Sequence, residues 1–167
     1  MNHRFMLCGL LLSSSAALNA APLEFSFTLP PATVAEYHQP YVAVWIEDAS
    51  HQLVQPLALW HLQRGDDKWL DHLRLWWRRG GRDRSEPIDG VSGATRSPGT
   101  YQLSWDGKTE AGDVAPAGSY SLAIEVAREV GDRELKRFSF EWPPTKAETH
   151  TAEGSAELGA LSLKLSP

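Results

Sequence analysis

The chain of 167 residues has a single cysteine, Cys8. That cysteine falls in an N-terminal stretch that reads as an export leader, so nothing downstream carries a thiol. A disulfide, a thiolate metal ligand and a cysteine nucleophile are therefore excluded from the exported part, whose stability must come from its core alone. No later run is long and apolar enough for a transmembrane helix. There is no P-loop, no dinucleotide fingerprint and no G-x-S-x-G elbow, and Ser92 and Ser97 have no base nearby in the sequence. Hydrolase and nucleotide chemistry thus lack a motif. The histidines after the leader (His38, His51, His61, His72 and His150) are scattered without metal-ligand spacing. Positive charge is also scarce: 16 Lys and Arg stand against 21 Asp and Glu, a formal net charge of −5. An acidic chain of this size does not attract nucleic acid through its general field.

What the leader contains is plain. Arg4 is followed by the apolar run Phe5–Leu18, and Asn19-Ala20-Ala21 offers small residues for cleavage after Ala20. Residues 1–20 are read as a signal peptide and residues 21–167 as one domain destined for the periplasm. Losing the leader removes Arg4 and no acid, so the exported domain is more acidic still.

The domain reads as all-β. Leu23–Leu29 alternates apolar and polar residues, and Tyr41–Asp48 is rich in β-branched and aromatic ones. Leu53–Leu62 is a third strand, with Pro56 marking an edge or bulge. Thr100–Asp106, Ser119–Glu129, Leu135–Trp142 and Leu158–Leu165 complete about seven strands, the count of an immunoglobulin-like β-sandwich. Lys146–Ser155 is polar and reads as a loose connection. Asp66–Arg79 breaks the pattern: Trp69, Leu73, Trp76 and Trp77 recur at helical spacing, Asp66 suits an N-cap and Gly80-Gly81 ends the run. One short amphipathic helix is expected there, packing most of its tryptophans on the sandwich.

Two loops hold the remaining signals. Asp89-Gly90-Val91-Ser92-Gly93-Ala94-Thr95 reads D-x-x-S-G-A-T and is followed by Arg96. It resembles the acceptor motif for covalent flavin attachment in bacterial membrane-associated redox proteins. The resemblance implies that a flavin transferase esterifies FMN to the Thr95 hydroxyl. Gly93 and Ala94 keep the flanking backbone slim, Asp89 is placed to ligate magnesium or orient the hydroxyl, and Ser92 serves recognition and loop geometry. Arg96 or the Arg78–Arg84 cluster is a candidate to neutralise the phosphate, and Trp76 or Trp77 to stack on the isoalloxazine. The same residues, with Pro98-Gly99, also make an ordinary turn-rich loop.

The second loop is Trp105-Asp106-Gly107 through Gly112, Pro116, Gly118 and Tyr120, which resembles the hairpin of the immunoglobulin-like domain of flagellar hook-capping proteins. Asp106, Glu110 and Asp113 lack the spacing of a calcium loop and read as a solvated turn. Together with Tyr41–Glu47, Glu125 and Arg128-Glu129, these pieces resemble a family of predicted periplasmic proteins, domain-of-unknown-function family 2271. The resemblance implies a periplasmic electron carrier partnered by a flavin transferase and by a PepSY-type or haem-containing inner-membrane reductase. Pro98-Gly99 departs from the better-known flavinylated domains, where the loop enters a helix. The alternative is a non-catalytic immunoglobulin-like module that binds a protein or a glycan.

Overall fold

Alternation along the first strand sets the pattern of the molecule. In β1 (Leu23–Leu29), Leu23, Phe25, Phe27 and Leu29 point into the core, while Glu24, Ser26 and Thr28 point outward. The computed structural model describes residues 21–63, 69–85 and 87–167. Among them lie eight further strands: β2 (Tyr41–Asp48), β3 (Leu53–His61), β4 (Ser92–Ala94), β5 (Gly99–Trp105), β6 (Gly118–Ala127), β7 (Arg133–Trp142), β8 (Glu148–Glu153) and β9 (Ala160–Leu165). They form a four-stranded sheet in the order β5-β1-β9-β8 and a five-stranded sheet in the order β4-β3-β2-β6-β7. The two inner faces enclose an aromatic-rich core, and the fold is an all-β sandwich.

The expectation of about seven strands undercounts. β8 lies within Lys146–Ser155, expected as a loose connection, yet it pairs with β9 from Glu148 to Glu153. It is an edge strand whose side chains are half-buried or exposed, so no apolar alternation marks it. β4 is three residues long and pairs in parallel with the end of β3, matching Trp60 with Gly93 and His61 with Ala94. Pro56 stands where the β2–β3 register shifts, as the bulge reading expects.

β2 is buried on both faces, which explains its apolar run Tyr41–Ile46. Val42, Val44 and Ile46 face the sandwich core. Tyr41, Ala43 and Trp45 face a second cluster, where Leu70, Leu73, Leu75 and Trp76 cover the outer side of the sheet. The covering segment is not the single helix expected over Asp66–Arg79. A 3₁₀ turn, Leu70–His72, is broken at Leu73 (ψ 68°) before α1 (Arg74–Arg79) begins. The expected cap, Asp66, lies outside the described residues. α1 is capped from the sheet instead. The fully buried Glu125 carboxylate of β6 accepts hydrogen bonds from the backbone N–H of Leu75 (3.0 Å) and Trp76 (2.8 Å) and from Arg133 Nε (2.6 Å). A carboxylate at the start of a helix complements its dipole and satisfies its free amides.

Candidate functional site

The D-x-x-S-G-A-T segment begins as a turn and ends as an edge strand. The N–H groups of Val91 and Ser92 both donate to the Ile88 carbonyl, at 3.1 and 2.9 Å. Ser92 Oγ accepts from Ile88 N–H at 2.9 Å, so this hydroxyl clasps the turn. Gly90 sits at its tip with φ 70°, a conformation that favours glycine. Asp89 is exposed beside it and makes no hydrogen bond or ion pair among the described residues. From Ser92 the chain extends along β3, and Thr95 N–H closes the ladder on the His61 carbonyl at 3.3 Å.

Asp89 and Thr95 therefore stand at opposite ends of β4, and Asp89 does not orient the threonine hydroxyl. That part falls to Gln39, which arrives from the segment before β2. Thr95 Oγ1 donates to Gln39 Oε1 at 2.9 Å, and Gln39 Nε2 donates to Ser97 Oγ at 3.1 Å. Thr95 is half-buried, while Ala94 and Arg96 on either side are exposed. Arg96 lays its guanidinium 4.1 Å from the centroid of the Trp60 ring and 5.3 Å from that of Tyr101. It forms no ion pair among the described residues. Trp60 and Tyr101 meet edge to face at 5.0 Å, with Phe27 5.6 Å from Trp60.

The loop after Thr95 is shut by Tyr101, whose hydroxyl donates to the Ser97 carbonyl at 2.5 Å. Tyr120 does the same to the Pro116 carbonyl at 2.7 Å. The two corners share a visible signal, Gly99-Thr100-Tyr101 and Gly118-Ser119-Tyr120, each entering a strand. That echo marks Tyr101 as a fixed wall of the site. Gln39 carries no such signal, because its partners are 56 and 58 residues away.

Other candidates are used elsewhere. Trp76 is fully buried between α1 and Trp45, 5.8 Å from it, so it cannot stack on an external ring. Trp77 is half-buried against the same cluster. Arg84 makes a two-pronged pair with Glu110, and Arg79 approaches Glu47 at 3.9 Å, so these two arginines of the Arg78–Arg84 run are committed to the fold, while Arg78 and Arg82 are exposed. The aromatic and cationic groups next to Thr95 are Trp60, Tyr101 and Arg96.

Gly93 has ordinary extended backbone. A Cβ there would meet Trp60 Cδ1 at 3.5 Å, an everyday contact. The fold thus has room for a side chain that the sequence omits.

The Trp105–Tyr120 hairpin behaves differently. Trp105 is buried and its Nε1–H donates to the Lys108 carbonyl at 2.6 Å. Gly107 has φ 79°, and a Cβ would fall 2.4 Å from Trp142 Cζ2. Asp106 Oδ1 accepts from Lys108 N–H at 3.1 Å, and Lys108 holds its carboxyl below the usual carboxylate range. Glu110 is taken by Arg84. No cluster of three or more His, Cys, Asp or Glu suited to a metal occurs among the described residues.

The charged residues shared with the resembling family also have structural partners. Glu125 caps α1, and Arg128 binds Glu157 through Nε and Nη2, with distances from 2.9 to 3.1 Å. Glu129 meets His38 Nδ1 at 3.5 Å. Glu134 accepts four consecutive backbone N–H groups, from Ser155 to Leu158, at 2.7–3.0 Å.

Residues 22–160 match the family described as "Predicted periplasmic protein (DUF2271)", and the chain belongs to that family. The protein is periplasmic, and the leader expected at residues 1–20 lies outside the described residues. No helix among the described residues is long and apolar enough to cross a membrane. No curated protein and no solved structure matches the chain.

Proposed function

We propose that this protein is a periplasmic electron carrier with FMN esterified to Thr95. One observation carries the reading: the fold uses Val91, Ser92 and Thr95 of the motif but makes little use of Asp89, Gly93 and Ala94. Asp89 and Arg96 are exposed without charged partners among the described residues, Ala94 is exposed, and Gly93 has room for a methyl group. The residues present suit the group. Thr95 supplies a hydroxyl just past the end of β4, an edge strand that has no neighbour on its outer side among the described residues. Arg96 supplies a cation one residue away, the natural partner of a phosphate. The buried Trp60 and half-buried Tyr101 hold that cation beside Thr95 by lying under its guanidinium.

When bound, FMN would supply one- and two-electron redox chemistry that no side chain of this protein offers. The chain's own part is to fix the attachment point, balance the phosphate charge and hold the tether short. Tethering removes the need for a deep flavin cleft, because local concentration no longer depends on affinity. The partners in this reading are a flavin transferase, which needs Asp89 and the slim Gly93-Ala94 backbone, and a PepSY-type or haem-containing membrane reductase. The hairpin's resemblance to hook-capping modules bears only on the scaffold.

The binding-module alternative has less to stand on in its glycan form. Trp45, Trp60, Trp76, Trp105 and Trp142 are buried, leaving Trp69 and Trp77 half-buried as platform residues. The deciding experiment is colour. Protein made beside an active flavin transferase should stay yellow after denaturation and washing. Colourless protein from a host whose transferase labels a known acceptor would overturn the proposal.

A further inference from the structure

We infer that Gln39 is a positioning residue for the modification of Thr95, through an amide that suits the loop both before and after the ester forms. This rests on the reading of Thr95 as the flavin acceptor. The Gln39 side chain spans Arg96, touching the residue on each side of it. Its Oε1 accepts from Thr95 Oγ1 at 2.9 Å, and its Nε2 donates to Ser97 Oγ at 3.1 Å. It comes from the segment just ahead of the buried Pro40, so its backbone is anchored where β2 begins.

The consequence for the nucleophile is geometric. With its proton directed at Gln39, Thr95 Oγ1 turns its lone pairs away from the amide. In the transfer, Oγ1 attacks the phosphorus of the FMN half of FAD. An Oγ–P bond forms, the phosphoanhydride P–O bond breaks, and AMP leaves with the bridging oxygen. The hydroxyl proton passes to a base on the transferase or to water, and no oxidation state changes. The ester oxygen has no hydrogen left to give, so Gln39 Oε1 loses its donor. Half a turn of the amide restores the bonding. Nε2 then donates to a phosphate oxygen, and Oε1 accepts from the Ser97 hydroxyl, which serves as donor or acceptor alike. A carboxylate at the same place would hold the unmodified loop equally well. It would fail afterwards, having no N–H to give and a negative charge facing a phosphate.

That difference supplies the test. Wild type, Gln39→Glu and Gln39→Leu are incubated with FAD, magnesium and a purified flavin transferase. FMN addition is followed by intact mass, and folding is checked by thermal melting. The three proteins should melt within a few degrees of one another, since Gln39 is a half-buried loop side chain. Addition should slow at least tenfold in Gln39→Glu and by less in Gln39→Leu. A merely structural role predicts the reverse order, because glutamate keeps the loop's hydrogen bonds and leucine does not. Wild-type modification with Gln39→Glu labelled at the same rate overturns this inference and leaves Thr95 as acceptor. An unmodified wild type overturns both.

Discussion

Gly107 sits in the loop between β5 and β6 and Gly93 in the short edge strand β4, and their surroundings differ sharply. At Gly107 the backbone has φ 79° and a Cβ would collide with Trp142. At Gly93 the backbone is extended and a Cβ would rest in ordinary contact with Trp60. The same contrast runs through both segments. In the hairpin, Trp105 fills the core, Asp106 and Lys108 bond to each other, and Tyr120 ties back to Pro116. In the S-G-A-T segment, Ser92 clasps a turn, Thr95 bonds Gln39 and Arg96 rests on Trp60, while the side-chain positions of Gly93 and Ala94 meet no structural demand of comparable kind. A motif explained by its own fold is scaffold. A motif left over by the fold points to something that visits from outside.

The contrast can be broken from the scaffold side. Trp105→Ala removes a buried ring that packs on Tyr120, Phe140 and Trp142, and should cost about 3–5 kcal/mol by denaturant unfolding. A second scaffold contribution depends on pH. Burial raises the Glu134 carboxyl, but backbone N–H groups of Ala156, Ser155, Leu158 and Glu157 outweigh it and hold the group at about 2, below the ordinary 4.5. A folded value depressed in this way stabilises the protein fully above about pH 4.5, and that contribution is lost as pH falls towards 2. It amounts to something on the order of 3 kcal/mol. Glu134→Gln should flatten this part of the acid unfolding curve, and an unchanged acid profile would contradict the assignment. Gly107→Ala should cost about 2–3 kcal/mol through backbone strain and the Trp142 clash.

Much of the scaffold was legible in the residues. β1 and β2 run over the residues expected, because one alternates cleanly and the other carries the apolar run Tyr41–Ile46, buried on both faces. What escaped was set by distant partners or by polarity. β8 is an edge strand of Glu, Thr and His with little apolar content, and β4 is short and contains a glycine. The start of α1 is capped by a carboxylate from β6, which no local spacing announces. At the site, the motif itself was readable, as was Arg96. The Gly-x-Tyr corner also announces Tyr101, but its meeting with Trp60 and with the amide of Gln39 was not readable, since the three converge from separate segments.

The smallest stability effect is expected in the S-G-A-T segment. Gly93→Ala should change unfolding free energy by less than about 1 kcal/mol, since alanine fits the extended backbone and its Cβ meets Trp60 at an ordinary distance. It should still lower FMN addition, because the added methyl group narrows the approach to Thr95. A destabilisation as large as that of Gly107→Ala would erase the distinction between the two loops.

The central claim is tested most directly by intact mass of the wild type and of Thr95→Val, each produced with an active flavin transferase. Valine keeps the branched shape of threonine and removes the hydroxyl. The wild type should carry one FMN, less one water, and Thr95→Val none, with both proteins folded. An unmodified wild type, or the same adduct on Thr95→Val, would contradict that claim.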